Sequence, residues 1–168
     1  MKRFGGVAAL AAGIALSAGC GVIPTDAEEA TSSNSSTVSP DAWASVVSEQ
    51  NDKLSPLVDK LVEDCITPSS DIVATTCVYR IETVKLKGSI LRKEFDELGD
   101  PPDEVEELVT ETLGTADSLA SFEVSADCSS DSMTALTYYE SCAGASSNAR
   151  RLGVSLRSKY AAWEPYGG

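Results

Sequence analysis

Four of the five cysteines are the side chains in this sequence best suited to covalent or metal chemistry. They are Cys65, Cys77, Cys128 and Cys142, and they are separated by 11, 50 and 13 residues. Structural zinc sites carry their cysteines in closely spaced pairs, whereas this chain has no C-x-x-C pair and no histidine. An even number of cysteines in an exported protein is typical of disulfides. If the chain is exported, we expect two disulfides and no metal site.

The beginning of the chain predicts export. Lys2 and Arg3 precede an uncharged run of sixteen residues, from Phe4 to Gly19, that is rich in small and apolar side chains. This is the layout of a secretory signal, and the run is shorter than the roughly 20 residues that a membrane-spanning helix needs. Residues 1–19 are therefore predicted to be a signal peptide.

The end of this signal carries a family resemblance. Ser17-Ala18-Gly19-Cys20 resembles the lipobox of bacterial lipoproteins, although Ser17 stands where that family usually has leucine. In the family, the cysteine receives a diacylglyceryl group and the chain is then cleaved before it. The resemblance implies lipidation at Cys20 and a lipid-anchored protein on the outer face of a bacterial cell membrane. The alternative is an ordinary secretory signal, which leaves Cys20 as a spare thiol or removes it.

The charge of the chain limits its partners. Because Lys2 and Arg3 lie in the signal, residues 20–168 hold 11 basic and 26 acidic residues, a formal charge of −15. Nucleic-acid binding requires lysine and arginine to neutralise phosphates, so we expect no nucleic-acid partner. Attraction to anionic lipids is also disfavoured. Acyl chains, of which two give stable anchoring, must therefore hold the protein at the membrane.

The residues that support catalysis are largely missing. Without histidine the chain lacks the commonest general base and any Ser-His-Asp or Cys-His mechanism. Paired carboxylates can cleave glycosides, but acids this numerous form pairs by chance. We therefore predict that the protein is not an enzyme and has no cofactor; an envelope enzyme using paired carboxylates ranks third among the interpretations.

The pattern of apolar residues predicts an all-α domain. Residues 20–38 are rich in serine and threonine and are predicted to be a disordered tether, so the domain spans 39–168. Four segments in it repeat apolar residues every three or four positions, as helices do. They begin at Pro40, Asp71, Asp103 and Asp131 and end near Cys65, Leu98, Cys128 and Trp163. Pro56 predicts a kink or a break in the first helix.

Four helices joined by short turns favour an antiparallel up-down four-helix bundle, with a strand over 72–84 as the rival for that β-branched stretch. Such a bundle places all four paired cysteines at one end. Spacing alone allows three connectivities. We favour Cys65 with Cys77 and Cys128 with Cys142, because each pair straddles one turn. Each disulfide would contribute about 3 kcal/mol.

Charges are strongly segregated along the chain. Between Glu94 and Ala149 there are 14 acids and no lysine or arginine. One interpretation pairs these acids with basic residues of the second helix, for example Arg92 and Lys93 with Glu106 and Glu107. The other is a surface that binds a cation or a basic partner, although no spacing matches an EF-hand loop. Its candidate residues are Glu97, Asp100, Asp103, Glu104, Trp163 and Tyr166, where Trp163 also continues a core-facing series.

Several small residues lie on the apolar faces of the predicted helices: Gly88, Ser146, Ala149 and Gly153. They allow helices to approach closely, or they leave a gap for an apolar ligand. The gap would support a carrier of a small ligand or a metal in the bundle core, which is the second interpretation.

The leading functional interpretation is a binding module at the cell envelope with an unidentified protein partner. The chain is similar in size, anchor and helical content to phage-encoded lipoproteins that block incoming DNA. That resemblance implies superinfection exclusion as one specific form of the module.

Overall fold

A computed structural model describes residues 38–131 and 133–167. In this part of the chain there are five α-helices and no strand, so the all-α prediction is confirmed. The helices are α1 (Pro40–Asp64), α2 (Asp71–Leu98), α3 (Glu106–Ser121), α4 (Ala135–Ser141) and α5 (Ala143–Ala161), followed by a short 3₁₀ turn at Glu164–Tyr166. Cys20, the predicted signal and all of the predicted tether except Val38 lie outside the described residues. Val38 itself is half-buried against the core.

Helix α1 continues through Pro56, so of the predicted kink or break the structure excludes the break. Proline removes one backbone donor and crowds the preceding turn, but Pro56 is exposed, so water can satisfy the carbonyl that loses its partner. Leu54 and Val58, on either side of it, are fully buried. The parts of the helix before and after Pro56 therefore both pack against the core.

Helix α2 has the predicted bounds, which excludes the strand alternative. The Ser70 hydroxyl caps it by accepting a hydrogen bond from the backbone N–H of Val73 at 3.3 Å. Gly99 ends it with φ = 86°, a left-handed conformation that only glycine adopts without cost.

Helix α3 is shorter than predicted. It starts at Glu106 rather than Asp103, because residues 103–105 form a turn in which Val105 is fully buried. It ends at Ser121, and residues 122–131, 133 and 134, which the structure describes in the connection to α4, are not helical, so the prediction of short turns throughout was wrong. Cys128 lies in this connection.

The predicted fourth helix is two helices, α4 and α5, that meet at Cys142. Its predicted start at Asp131 is also wrong. Thr134 caps α4 instead: its hydroxyl accepts a hydrogen bond from Thr137 N at 3.1 Å, and the Thr137 hydroxyl accepts one from Thr134 N at 2.9 Å. A reciprocal cap of this kind satisfies two otherwise free amides.

The long helices share one core. α1 packs against α2 and α5, and α3 packs against the same two helices. α1 and α2 run in opposite directions, since Gln50 contacts Glu94 and Asp64 contacts Arg80. At the start of α1 the core is aromatic. The ring centroid of Phe95 lies 5.0 Å from that of Trp43 and 5.9 Å from that of Trp163.

Two glycines bring helices into close contact. A Cβ atom on Gly88 would lie 2.3 Å from the backbone oxygen of Ala116, and one on Gly153 would lie 2.6 Å from a methyl group of Val58. Both distances are shorter than atoms tolerate, so these positions are filled by neighbouring helices. The small residues thus permit close approach rather than opening a gap at these two places.

Candidate functional site

The cysteines form the pairs favoured from the sequence. Cys65 is bonded to Cys77 and Cys128 to Cys142, with Cα atoms 5.6 and 4.9 Å apart. All four are buried. Because their thiols are used in disulfides, none of these four residues can act as a nucleophile or as a thiolate metal ligand.

A small buried polar network joins the two disulfides. The hydroxyl of Tyr138 donates to the backbone oxygen of Cys65 at 3.0 Å, and the hydroxyl of Ser146 donates to the same oxygen at 3.3 Å. Burial raises the pKa of Tyr138 above its usual value, although a hydrogen bond with Ser146 opposes this. A neutral phenol is the form that donates a hydrogen bond, as the Tyr138 hydroxyl does here.

The acidic candidates lie at the opposite end. Glu97, Asp100, Asp103 and Glu104 are exposed around the turn between α2 and α3. Tyr166 joins them, because its hydroxyl donates to the backbone oxygen of Glu104 at 3.3 Å. The structure thus brings five of the six candidate surface residues to one end of the domain.

Trp163, the sixth candidate, is not on the surface. Only 2% of it is exposed, and its indole N–H donates to the Thr112 hydroxyl at 3.1 Å. It packs beside Phe95 in the aromatic part of the core. Its sequence position on a core-facing series was the better guide to its role.

The ion pairs between α2 and α3 differ from those expected. Arg92 binds both carboxylate oxygens of Asp117 rather than Glu106 or Glu107. Lys93 pairs within its own helix with Glu97 at 3.5 Å. The cause is the late start of α3, which shifts its register along α2. The charged side chains of both pairs are in contact with solvent, so each pair contributes about 0–1 kcal/mol.

A cleft of about 710 Å³ runs between α1 and α5. Most of its wall consists of small or polar side chains, among them Ser48, Asn51, Ser55 and Ser158, with Trp163 and Val154 as larger apolar neighbours. Glu164 is the one carboxylate that lines it. The described cleft therefore does not present the carboxylate pair that glycoside cleavage uses.

A buried polar residue of α1, Gln50, was not among the predicted site residues. Gln50 is 1% exposed, and its amide nitrogen donates to both carboxylate oxygens of Glu94, at 2.9 and 2.7 Å. Among the described atoms, the Gln50 side-chain oxygen and the Tyr160 hydroxyl are buried without a hydrogen-bond partner. Burial, assisted by the charge of Glu94, raises the pKa of Tyr160. The signal was available: Gln50 is a polar residue in the apolar series of its helix.

Two kinds of feature are missing from residues 38–131 and 133–167. No group of three or more acidic, cysteine or histidine side chains is placed to hold a metal ion there. No helix in this range combines the length and the apolar character needed to cross a membrane.

Comparison with family models, with curated proteins and with solved structures finds no match to this chain.

Proposed function

We propose that the protein is a lipid-anchored binding module on the outer face of a bacterial cell membrane, held there through Cys20. The observation that carries this proposal is the signal ending in Ser17-Ala18-Gly19-Cys20. The disulfides support it, because such bonds persist in oxidising compartments outside the cytoplasm. The formal charge of −15 over residues 20–168 also leaves acyl chains, rather than charge, as the membrane attachment.

The architecture we propose is a signal peptide at 1–19, a tether at 20–38 whose last residue, Val38, packs against the core, and a four-helix bundle whose fourth helix is α4 and α5 together. The packing of α1 on α2 and α5, and of α3 on the same two helices, supports this arrangement. The exposed acids at one end of the bundle, Glu97, Asp100, Asp103 and Glu104, support a binding role.

The anchor is tested by Cys20→Ala, with Ser17→Leu as the matched control because it moves the lipobox toward the family pattern. In a bacterial host given radiolabelled palmitate, the parent chain and Ser17→Leu should carry label and sediment with membranes. Cys20→Ala should carry none and appear in soluble fractions. Equal membrane association of Cys20→Ala would contradict the anchor.

Superinfection exclusion is the specific form of this proposal that the resemblance to phage lipoproteins implies. Expression of the chain in a susceptible host should reduce entry of phage DNA, and Cys20→Ala should restore it. Unchanged DNA entry in cells making the parent chain would remove this form of the proposal.

A second candidate function, small-molecule carriage, is favoured by the cleft between α1 and α5. The unpartnered hydroxyl of buried Tyr160, which lines the cleft, supports a polar ligand group nearby. Native mass spectrometry of the protein purified from its producing cells tests this candidate: a retained small molecule supports it, and a bare protein mass contradicts it.

A further inference from the structure

Two consecutive arginines of α5, Arg150 and Arg151, line the same concavity of the protein surface. Its volume is about 340 Å³, and the other residues that line it are Ser147 and Val154. Residues three and four positions apart are neighbours on a helix, so one face of α5 supplies all four side chains. The concavity therefore holds two guanidinium groups and one hydroxyl.

The arginine pair, Arg150 and Arg151, differs from most basic residues of the protein in its lack of a carboxylate partner. Residues 38–131 and 133–167 include eleven lysines and arginines. Seven of these form ion pairs: Lys53, Lys60, Arg80, Arg92, Lys93, Arg157 and Lys159. Within this part of the chain, neither side chain of the arginine pair has an ion pair or a hydrogen bond.

The two remaining basic residues also act on other groups of the protein. Lys85 lies 5.4 Å from the ring centroid of Phe122. The pKa of Glu49 is lowered mainly by Lys53 and, to a smaller extent, by Lys87. In a chain with many more acids than bases, the arginine pair is therefore a local excess of positive charge.

Arg150 is partly withdrawn from water. Its side chain is half-buried, and its Nε atom is buried without a hydrogen-bond partner in the described structure. A buried donor of a charged group costs free energy unless an acceptor reaches it. The positive charge of Arg151 next to it adds like-charge repulsion. An anion in the concavity would relieve both effects.

The number of donors indicates which anion fits. A carboxylate is matched by one guanidinium group, as Asp117 is by Arg92 in this protein. A phosphate monoester carries about two negative charges and three acceptor oxygens, so it can accept from two guanidinium groups at once. The Ser147 hydroxyl, one turn earlier on the same face, is a further donor.

We propose that Arg150, Arg151 and Ser147 form a binding site for a phosphate monoester. Two arginines are too few to neutralise the row of phosphates that a nucleic acid presents, so the site takes a single phosphoryl group. That group belongs either to a soluble phosphate or to a lipid headgroup. The inference gives the binding module a ligand class but rests neither on Cys20 nor on the cleft between α1 and α5, so these proposals fail separately.

The probe is inorganic phosphate, titrated into the full chain carrying Cys20→Ser so that no acyl chain contributes. Nitrogen-15 NMR follows the backbone amides and the arginine Nε–H groups. The signals of Arg150 and Arg151 should shift and reach saturation. Acetate at the same ionic strength should bind at least about tenfold more weakly, because it has one charge and two oxygens.

A matched pair of double variants locates the binding. Arg150→Gln with Arg151→Gln should weaken phosphate binding about tenfold or more. Arg157→Gln with Lys159→Gln removes the same charge from the same helix, but both of these side chains already pair with a carboxylate. This control should change the affinity less than about threefold. Denaturant unfolding, matched to the parent, shows that each fold is intact.

A third variant separates guanidinium geometry from charge. Arg150→Lys with Arg151→Lys keeps both charges and removes both planar forks. It should weaken phosphate binding by about threefold to tenfold, because an ammonium group cannot form the two parallel hydrogen bonds of a guanidinium.

Two further probes distinguish the sources of the phosphate. Binding of glycerol 3-phosphate that the double glutamine variant of the arginine pair loses would support a soluble ligand. Sedimentation with phosphatidylcholine vesicles containing phosphatidic acid, but not with vesicles containing phosphatidylglycerol, would support a lipid headgroup if the same variant loses it. Phosphatidic acid carries a monoester and phosphatidylglycerol a diester, so this comparison also tests the class of phosphate.

Four results would overturn the proposal. These are the absence of saturable shifts with phosphate, equal affinity for acetate, equal weakening by the Arg157→Gln with Lys159→Gln control, and unchanged affinity in the double lysine variant. The first would show that the concavity binds no phosphate. The others would show that the net charge of the surface, and not a built site, attracts the anion.

Discussion

The hydroxyl of Tyr138 lies 3.0 Å from the backbone oxygen of Cys65, a residue 73 positions earlier in the chain. Ser146 donates to the same oxygen. The end of α1, the short helix α4 and the first turn of α5 therefore meet at one buried acceptor. This contact fixes the C-terminal end of the long connection from 122 to 134 against the core.

Removing these donors tests how much the contact contributes. Tyr138→Phe and Ser146→Ala should each lower the free energy of unfolding by about 1 kcal/mol, since the other donor still satisfies the carbonyl. The double variant should lose about 3 kcal/mol, because a buried acceptor is then unpaired. Urea denaturation measures all three. Strict additivity of the two single losses would contradict a shared acceptor.

The two disulfides should contribute similarly to stability, because they close loops of similar length, 12 and 14 residues. Replacing either pair by alanine should lower the free energy of unfolding by about 3 kcal/mol, as measured by urea denaturation. Ser118→Ala, on exposed α3 surface, is the control and should change it by less than about 0.5 kcal/mol. Peptide mapping without reduction should yield the two pairs, and a peptide joining Cys65 to Cys142 would contradict them.

Substituting alanine for Gly88 in α2 or Gly114 in α3 should change the stability of the protein in opposite directions. Gly88→Ala should destabilise the protein by about 2 kcal/mol or more, because the added methyl group meets the backbone of α3. Gly114→Ala should stabilise it by about 0.5–1 kcal/mol, because nothing lies within 4 Å of the new group. Thermal unfolding of both variants checks this, and equal signs would contradict the close contact.

Tyr160 should make stability fall at alkaline pH. Burial and, to a lesser extent, Glu94 raise its pKa in the folded state, so the folded protein holds this proton more tightly than the unfolded chain. The resulting stabilisation is complete below the unfolded pKa of about 10 and is lost as the pH rises from there toward the folded pKa.

The matched variant is Tyr160→Phe, which removes an unpartnered buried hydroxyl. It should leave stability at about pH 7 equal to that of the parent or higher by up to about 1 kcal/mol, and reduce the alkaline loss. Tyr79→Phe, at an exposed tyrosine, should leave both the stability at about pH 7 and its loss at alkaline pH unchanged. Urea denaturation at about pH 7 and pH 10.5 compares them, and an unchanged alkaline loss in Tyr160→Phe would count against this account.

The sequence predicts helices best where one apolar series continues without interruption. α2 has its predicted bounds because its spacing of four and three runs to Leu98 and Ser70 and Gly99 mark its ends. Predictions failed where tertiary packing competes with local pattern. Burial of Val105 in a turn delays α3, and the late start shifts Arg92 onto Asp117. The spacing of apolar residues alone does not specify how α3 is aligned along α2.

Some features of the candidate sites could be predicted from the sequence and others could not. The cysteine pairs could be predicted because each pair spans a single connection between helices. Residue type alone could not predict that Trp163 lies in the core while the other candidates lie on the surface, since aromatic residues serve both cores and interfaces.

Both covalent links lie at the end of the domain where α1 finishes, and the end where α1 begins has none. Local opening requires the least free energy where few restraints hold the chain. Amides near Pro40, Leu98 and Tyr166 should therefore exchange their hydrogens through small fluctuations, whereas those around Cys65 exchange only when the whole domain opens. We therefore expect the domain to open most easily at the end where α1 begins and least easily at the end where the two disulfides lie.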